Sequence, residues 1–125
     1  MKSIQKGLCL YHVESSVWPL MDIYETGSEL IFEIDLPGIE PDDVSIRVYG
    51  DMLIIEGIRT DAGREPDLRY ICMERGIRGF RRVIKFPVPV NASPSEAFYA
   101  HGVITIKFPK RERKAITITV KRINE

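Results

Sequence analysis

Apolar residues in this chain recur at every second position, in short runs cut off by glycine, proline or aspartate. Side chains along an extended strand alternate between two faces, so each such run buries one face and wets the other. Over residues 29–36, Leu30, Phe32, Ile34 and Leu36 stand against Glu33 and Asp35, a half-buried strand that Pro37-Gly38 ends. After a turn at Glu40-Pro41-Asp42-Asp43, Val44, Ile46 and Val48 alternate with Ser45, Arg47 and Tyr49. Gly50-Asp51 separates that run from Met52-Leu53-Ile54-Ile55-Glu56-Gly57, which is a two-residue hairpin signal. Further strands are expected at 20–24, 80–86, 97–100 and 103–108, and helical periodicity is nearly absent. Short alternating strands at this density imply an all-β antiparallel sandwich.

At 125 residues and 44% hydrophobic content the chain can fill one core, with short arms on either side. The expected division is an N-terminal arm at 1–18, a domain at 19–109 and a C-terminal extension at 110–125. No run approaches the roughly 18 apolar residues of a membrane span. Met1 to Leu10 lacks the apolar centre and cleavage site of a signal peptide, so the chain reads as cytoplasmic. Cys9 and Cys72 lack C-x-x-C spacing and read as free thiols.

Catalysis needs converging polar groups, and the sequence offers His12 and His101 alone as imidazoles, neither within a motif. With no nucleophile elbow, paired zinc ligands, dinucleotide glycines or phosphate loop, no catalytic residue, metal or cofactor is expected. Residues 1–67 carry 5 Lys/Arg against 14 Asp/Glu, and residues 68–125 carry 13 against 4, so the halves stand near −9 and +9. One sandwich would intermix these charges in space. The basic positions have no interleaved aromatic platform, which argues against nucleic acid and leaves self-association through complementary patches.

Three segments fall outside the expected core. The connection over 58–80 is rich in charge, yet Leu68, Tyr70 and Cys72 alternate within it, as a strand reaching to a partner would; a flexible loop is the alternative. The arm carries Ile4, Leu8, Leu10, Val13, Val17 and Trp18 in no clean period, suited to contact with other proteins or to one helical turn on the chain's own body. The charged tether Lys110-Arg111-Glu112-Arg113-Lys114 is followed by Ile116-Thr117-Ile118-Thr119-Val120, a strand-like run left without a neighbour. Such a segment can add to the exposed edge of another sheet, with backbone bonds for affinity and side-chain pockets for specificity.

Several of these pieces, taken in order, resemble the small heat-shock proteins, which are built on an α-crystallin domain of immunoglobulin-like form. They are Asp22-Ile23-Tyr24-Glu25, Leu36-Pro37-Gly38, Leu53-Ile54-Ile55-Glu56-Gly57, Glu74-Arg75, Phe80-Arg81-Arg82, Gly102-Val103-Ile104, Phe108-Pro109-Lys110 and the tail triplet Ile116-Thr117-Ile118. The resemblance implies an ATP-independent holdase that captures partly unfolded clients and assembles as dimers within larger oligomers. It implies that Ile116 and Ile118 dock in a groove on a neighbour between 44–48 and 97–100, lined by Val44, Ile46, Val48, Ala97 and Tyr99. It further implies a dimer interface in which Leu68, Tyr70 and Cys72 exchange onto a partner edge near Met21 and Ile23. Client contact falls to Ile4, Leu8, Leu10, Val17 and Trp18.

Arg82 shares a strand face with Phe80, Ile84 and Phe86, so a charge points where apolar groups point and needs a partner. In the family the matching arginine sits at the dimer interface with acidic groups; an arginine snorkelling to water from near an edge is the alternative. The rival for the whole chain is a monomeric adaptor of the CS type found in co-chaperones, which has no use for the detached isoleucines.

Overall fold

The structure, a computed structural model, describes residues 18–59, 67–75, 78–93, 95–112 and 115–124. Its strands are β1 (Met21–Glu25), β2 (Glu29–Asp35), β3 (Val44–Tyr49), β4 (Met52–Arg59), β5 (Arg78–Lys85), β6 (Glu96–Ala100) and β7 (Val103–Pro109), with one 3-10 turn at Pro41–Asp43. They form a four-stranded sheet in the order β1-β2-β7-β6 and a three-stranded sheet in the order β3-β4-β5, with every strand pair antiparallel. The all-β sandwich is thus present. The expected strands differ from the observed ones by no more than two residues at most ends, as hydrogen bonding rather than side-chain pattern sets where pairing stops.

The alternation explains the core. Leu30, Phe32 and Ile34 of β2, Leu53 and Ile55 of β4, Ile84 of β5, and Ile104, Ile106 and Phe108 of β7 all point inward and are buried. Phe32, Phe86 and Phe108 meet edge to face, with ring centroids 5.0–6.0 Å apart. Burying a side chain of this size stabilises by about 1.5–3 kcal/mol, so these central positions dominate the sandwich. At Gly57 the inward pattern of β4 carries no side chain, because a Cβ there would lie 2.5 Å from the Asp43 carbonyl and 2.9 Å from the Phe80 ring. The hairpin between β6 and β7 turns on His101 and Gly102 at φ of 54° and 77°, the left-handed pair that a two-residue turn of this hand demands.

Two anchors stack the sheets in register. The Arg82 guanidinium of β5 donates to the Pro19 carbonyl just before β1 at 2.6 Å, and Trp18 meets Phe80 of β5 edge-on at 5.4 Å. The β1 edge therefore lies over the β5 edge. Since β6 is at the opposite side of the larger sheet, it lies on the side of β3.

Candidate functional site

Strand order alone creates two open flanks. An interior strand has neighbours on both sides, and Leu53 and Ile55 of β4 are completely enclosed. An edge strand covers its inward face from one side only. Val44, Ile46 and Val48 of β3 pack against the core yet stay half-buried, and so do Met21 and Ile23 of β1. Among the described residues each flank has no further strand paired to it, and its edge backbone lies beside partly wet apolar side chains, the combination that invites another strand.

The first flank runs between β3 and β6. Tyr99 is half-buried on the inward face of β6, and its hydroxyl donates to the Leu36 carbonyl at 2.8 Å, which holds this edge to the end of β2. Ala97 is exposed. The five residues expected to line the tail groove therefore sit on two edges that flank one side of the sandwich, with apolar faces turned inward on both. Outside this flank, Arg47 of β3 pairs with Glu56, lies 5.8 Å from the Tyr49 ring, and shares Glu56 with Arg81 at 3.6 Å.

The tail is exposed in the same chain. Residues 115–124 form no strand, and Ile116, Ile118 and Val120 are 86%, 83% and 94% exposed. Isolated apolar side chains on a surface need no explanation, but three at strand spacing on one unpaired segment form a ligand-like stripe. Val120 is a third such residue beyond the two expected from the tail triplet. Its signal was the plain continuation of the alternation past Ile118.

The second flank is the outer edge of β1. Tyr24 donates its phenolic hydrogen to Glu33 at 2.6 Å, tying β1 to β2 on the outward face. That carboxylate holds the phenol above its usual range, so the tie is intact below about pH 10 and is lost as pH rises beyond it. Leu68, Tyr70 and Cys72 are exposed and in no strand, as are Ile71 and Met73, and the Cys72 thiol is free. Among the described residues the pleated pattern of this loop joins no ladder.

Arg82 is 3% exposed. A buried guanidinium is tolerable only with its donors used, and the Pro19 carbonyl takes one of them. The arginine does not snorkel to water; it is enclosed under the segment that leads into β1. A carbonyl acceptor from a segment 63 residues away has no signature in local sequence, so this contact escaped the pattern. Trp18, expected among client contacts, is half-buried against Phe80. Ile4, Leu8, Leu10 and Val17 lie outside the described residues.

Among the described residues no three His, Cys, Asp or Glu side chains gather as metal ligands, and no helix is long and apolar enough to cross a membrane. His101 is occupied as a turn residue.

Known proteins share this arrangement. The small heat shock protein C2 of Rickettsia felis is 33% identical over 100 residues, covering 80% of this chain and 65% of that protein. Spore protein SP21 of Stigmatella aurantiaca is 32% identical over 74% of this chain and 55% of its own length, so the chain spans little more than half to two thirds of these relatives. Among solved structures, a small heat-shock protein from Xylella fastidiosa superposes with a TM-score of 0.65 at 29% identity, over 88% of this chain and all of that one. Heat shock protein 16.0 of Schizosaccharomyces pombe, at 24% identity and a TM-score of 0.67 over 82% of this chain and 97% of its own, shares the fold. The model of the Hsp20/alpha crystallin family matches residues 22–124, from β1 through the exposed tail, and the chain belongs to that family.

Proposed function

We propose that this chain is an ATP-independent holdase that binds partly unfolded proteins and keeps them from aggregating, and that it assembles through its two open flanks. One observation carries this reading: apolar side chains are half-wet along the β3 and β1 edges while a strand-spaced apolar stripe stands exposed on the tail. The tail isoleucines of one copy seat in the β3–β6 flank of another. Residues 68–73 pair with the β1 edge of a dimer partner. The arm at 1–18 and the flanks themselves, when vacated, contact clients.

The energies favour a reversible assembly. Two buried isoleucines contribute about 1.5–3 kcal/mol each and a few strand hydrogen bonds about 1 kcal/mol apiece. Association costs some 4–15 kcal/mol, so a single docked tail is weak and only repetition around an oligomer holds it. Weak, repeated contacts let the flanks open and close, which is what client capture requires.

A heated model client provides the test, because its aggregation is read directly as light scattering. With one copy of this protein per client chain and no ATP, scattering is expected to fall to a small fraction of the unprotected value. Unchanged scattering removes the holdase reading. A native mass near 14.3 kDa would instead fit a monomeric adaptor, whereas the proposal requires a dimer or larger.

Arg82 supports the dimer edge from beneath, as its carbonyl partner leads directly into β1. Arg82→Ala leaves the Pro19 carbonyl buried without its donor, an expected cost of about 1–3 kcal/mol in denaturant unfolding. The loosened β1 edge is expected to weaken dimers at micromolar concentration. An unaltered unfolding midpoint together with an unaltered mass would refute this role.

A further inference from the structure

We propose that the docked tail of a second copy lies antiparallel to β3, with Val120 as a third apolar knob opposite Val44 and with Lys121 and Arg122 held against the acidic turn at 40–43. The inference rests on the tail-docking reading above and adds direction, register and an electrostatic latch to it.

The inward positions of β3 are 44, 46 and 48, and the apolar tail positions are 116, 118 and 120. Two triplets of equal pitch can be laid together in two directions. Antiparallel, Ile116 meets Val48, Ile118 meets Ile46 and Val120 meets Val44. Beyond Val120, Lys121 and Arg122 run on toward the 3-10 turn that carries Asp42 and Asp43, with Glu40 just before it. In the opposite direction Lys121 and Arg122 arrive at Tyr49 and Gly50. Arg47 already lies against Tyr49 there, and Asp51 holds Lys85 at 3.7 Å, so incoming cations meet cations. That direction sends Ala115 and then Lys114 toward the acidic turn, one cation in place of two adjacent ones.

Glu40, Asp42 and Asp43 are exposed, and no ion pair among the described residues uses them. Lys121 and Arg122 are likewise exposed on the tail. Opposite charges brought close together attract and like charges repel, so the antiparallel direction gains where the other loses. Thr117 and Thr119 then face outward, as their hydroxyls suit. The latch is also screenable: salt weakens it while leaving the apolar knobs largely unaffected.

The full-length protein carries the test. The readout is the concentration at which half of the protein has dropped from its oligomeric mass, followed by sedimentation at low and high salt. Asp42→Lys with Asp43→Lys is expected to raise that concentration about tenfold at low salt, as two exposed attractive pairs become repulsive, and by much less at high salt. Adding Lys121→Glu and Arg122→Glu to the same chain is expected to restore the original value. These are surface positions, and an unchanged thermal transition in each variant keeps folding out of the comparison. If Ile116→Ser with Ile118→Ser dissociates the oligomer but the charge exchange restores nothing, the latch and its direction are wrong while tail docking survives. If Asp51→Lys, not the change at 42 and 43, is the substitution that Lys121→Glu and Arg122→Glu compensate, the tail runs the other way. If the isoleucine substitutions leave the mass as it was, docking itself fails and the latch with it.

Discussion

Phe32→Ala is expected to lower the thermal unfolding midpoint by on the order of 20 °C, the largest stability loss of any change considered. The side chain is fully enclosed on β2 and meets both Phe86 and Phe108 edge-on, at 6.0 and 5.7 Å. Truncating such a phenylalanine costs about 3–5 kcal/mol, the transfer loss plus the cavity left in a core that can only partly close. For a domain of about 100 residues each kcal/mol moves the midpoint by roughly 4–8 °C. A total stability of about 5–15 kcal/mol leaves little margin, so partial unfolding at growth temperature is an expected accompaniment. Phe98→Ala is the control. Phe98 lies on the outward face of β6 and is half exposed, and removing it is expected to change stability by no more than about 0.5 kcal/mol. Calorimetry of the two variants at one protein concentration separates them, and equal shifts would mean that the inward and outward faces are misassigned.

That same periodicity is why most of the architecture is legible in the sequence. In β2 the positions Leu30, Phe32 and Ile34 against Glu33 and Asp35 encode a strand and also its buried face, because a pleat leaves no other arrangement. The turns were equally local: Gly50 and Gly102 adopt the positive φ that their place between two runs required. What local pattern does not hold is which strands end up on the outside. The half-wet state of Val44, Ile46 and Val48 comes from β3 having a neighbour on one side only, a property of the whole sheet order and not of residues 44–49. The Arg82 face was legible as a charge among apolar groups, but its acceptor was not, since Pro19 joins it through the stacking of two sheets. Trp18 read as part of a reaching arm because Pro19 follows it, whereas the proximity of β1 to β5 brings it back onto Phe80. For residues 68–73 the alternation was visible, yet among the described residues the segment joins no strand, so the pleated pattern alone did not decide its structure.

Ile116→Ser with Ile118→Ser is expected to reduce the native mass to that of a dimer, about twice 14.3 kDa, with the sandwich intact. Both side chains are more than four-fifths exposed in the single chain, so replacing them removes nothing from the folded domain and the unfolding midpoint of the dimer should stay put. What they lose is available only in the assembly. Each isoleucine contributes about 1.5–3 kcal/mol when its surface leaves water, and a serine contributes almost none of it, so a docked tail forfeits roughly 3–6 kcal/mol. That is two to four orders of magnitude in the affinity of each contact, enough to empty the β3–β6 flank at micromolar concentration. A dimer joined at the β1 edge, as proposed, would use other residues and is expected to persist. The consequence for client binding discriminates between two roles of the groove. If the flank is itself a client surface, the vacated groove suppresses aggregation at least as well per chain as the parent, because the competing tail no longer fills it. If clients use only surfaces that exist in the larger assembly, suppression falls with the mass. Sedimentation together with client light scattering decides between these, and a variant that keeps the parent mass would show that the exposed isoleucines are not what joins the copies.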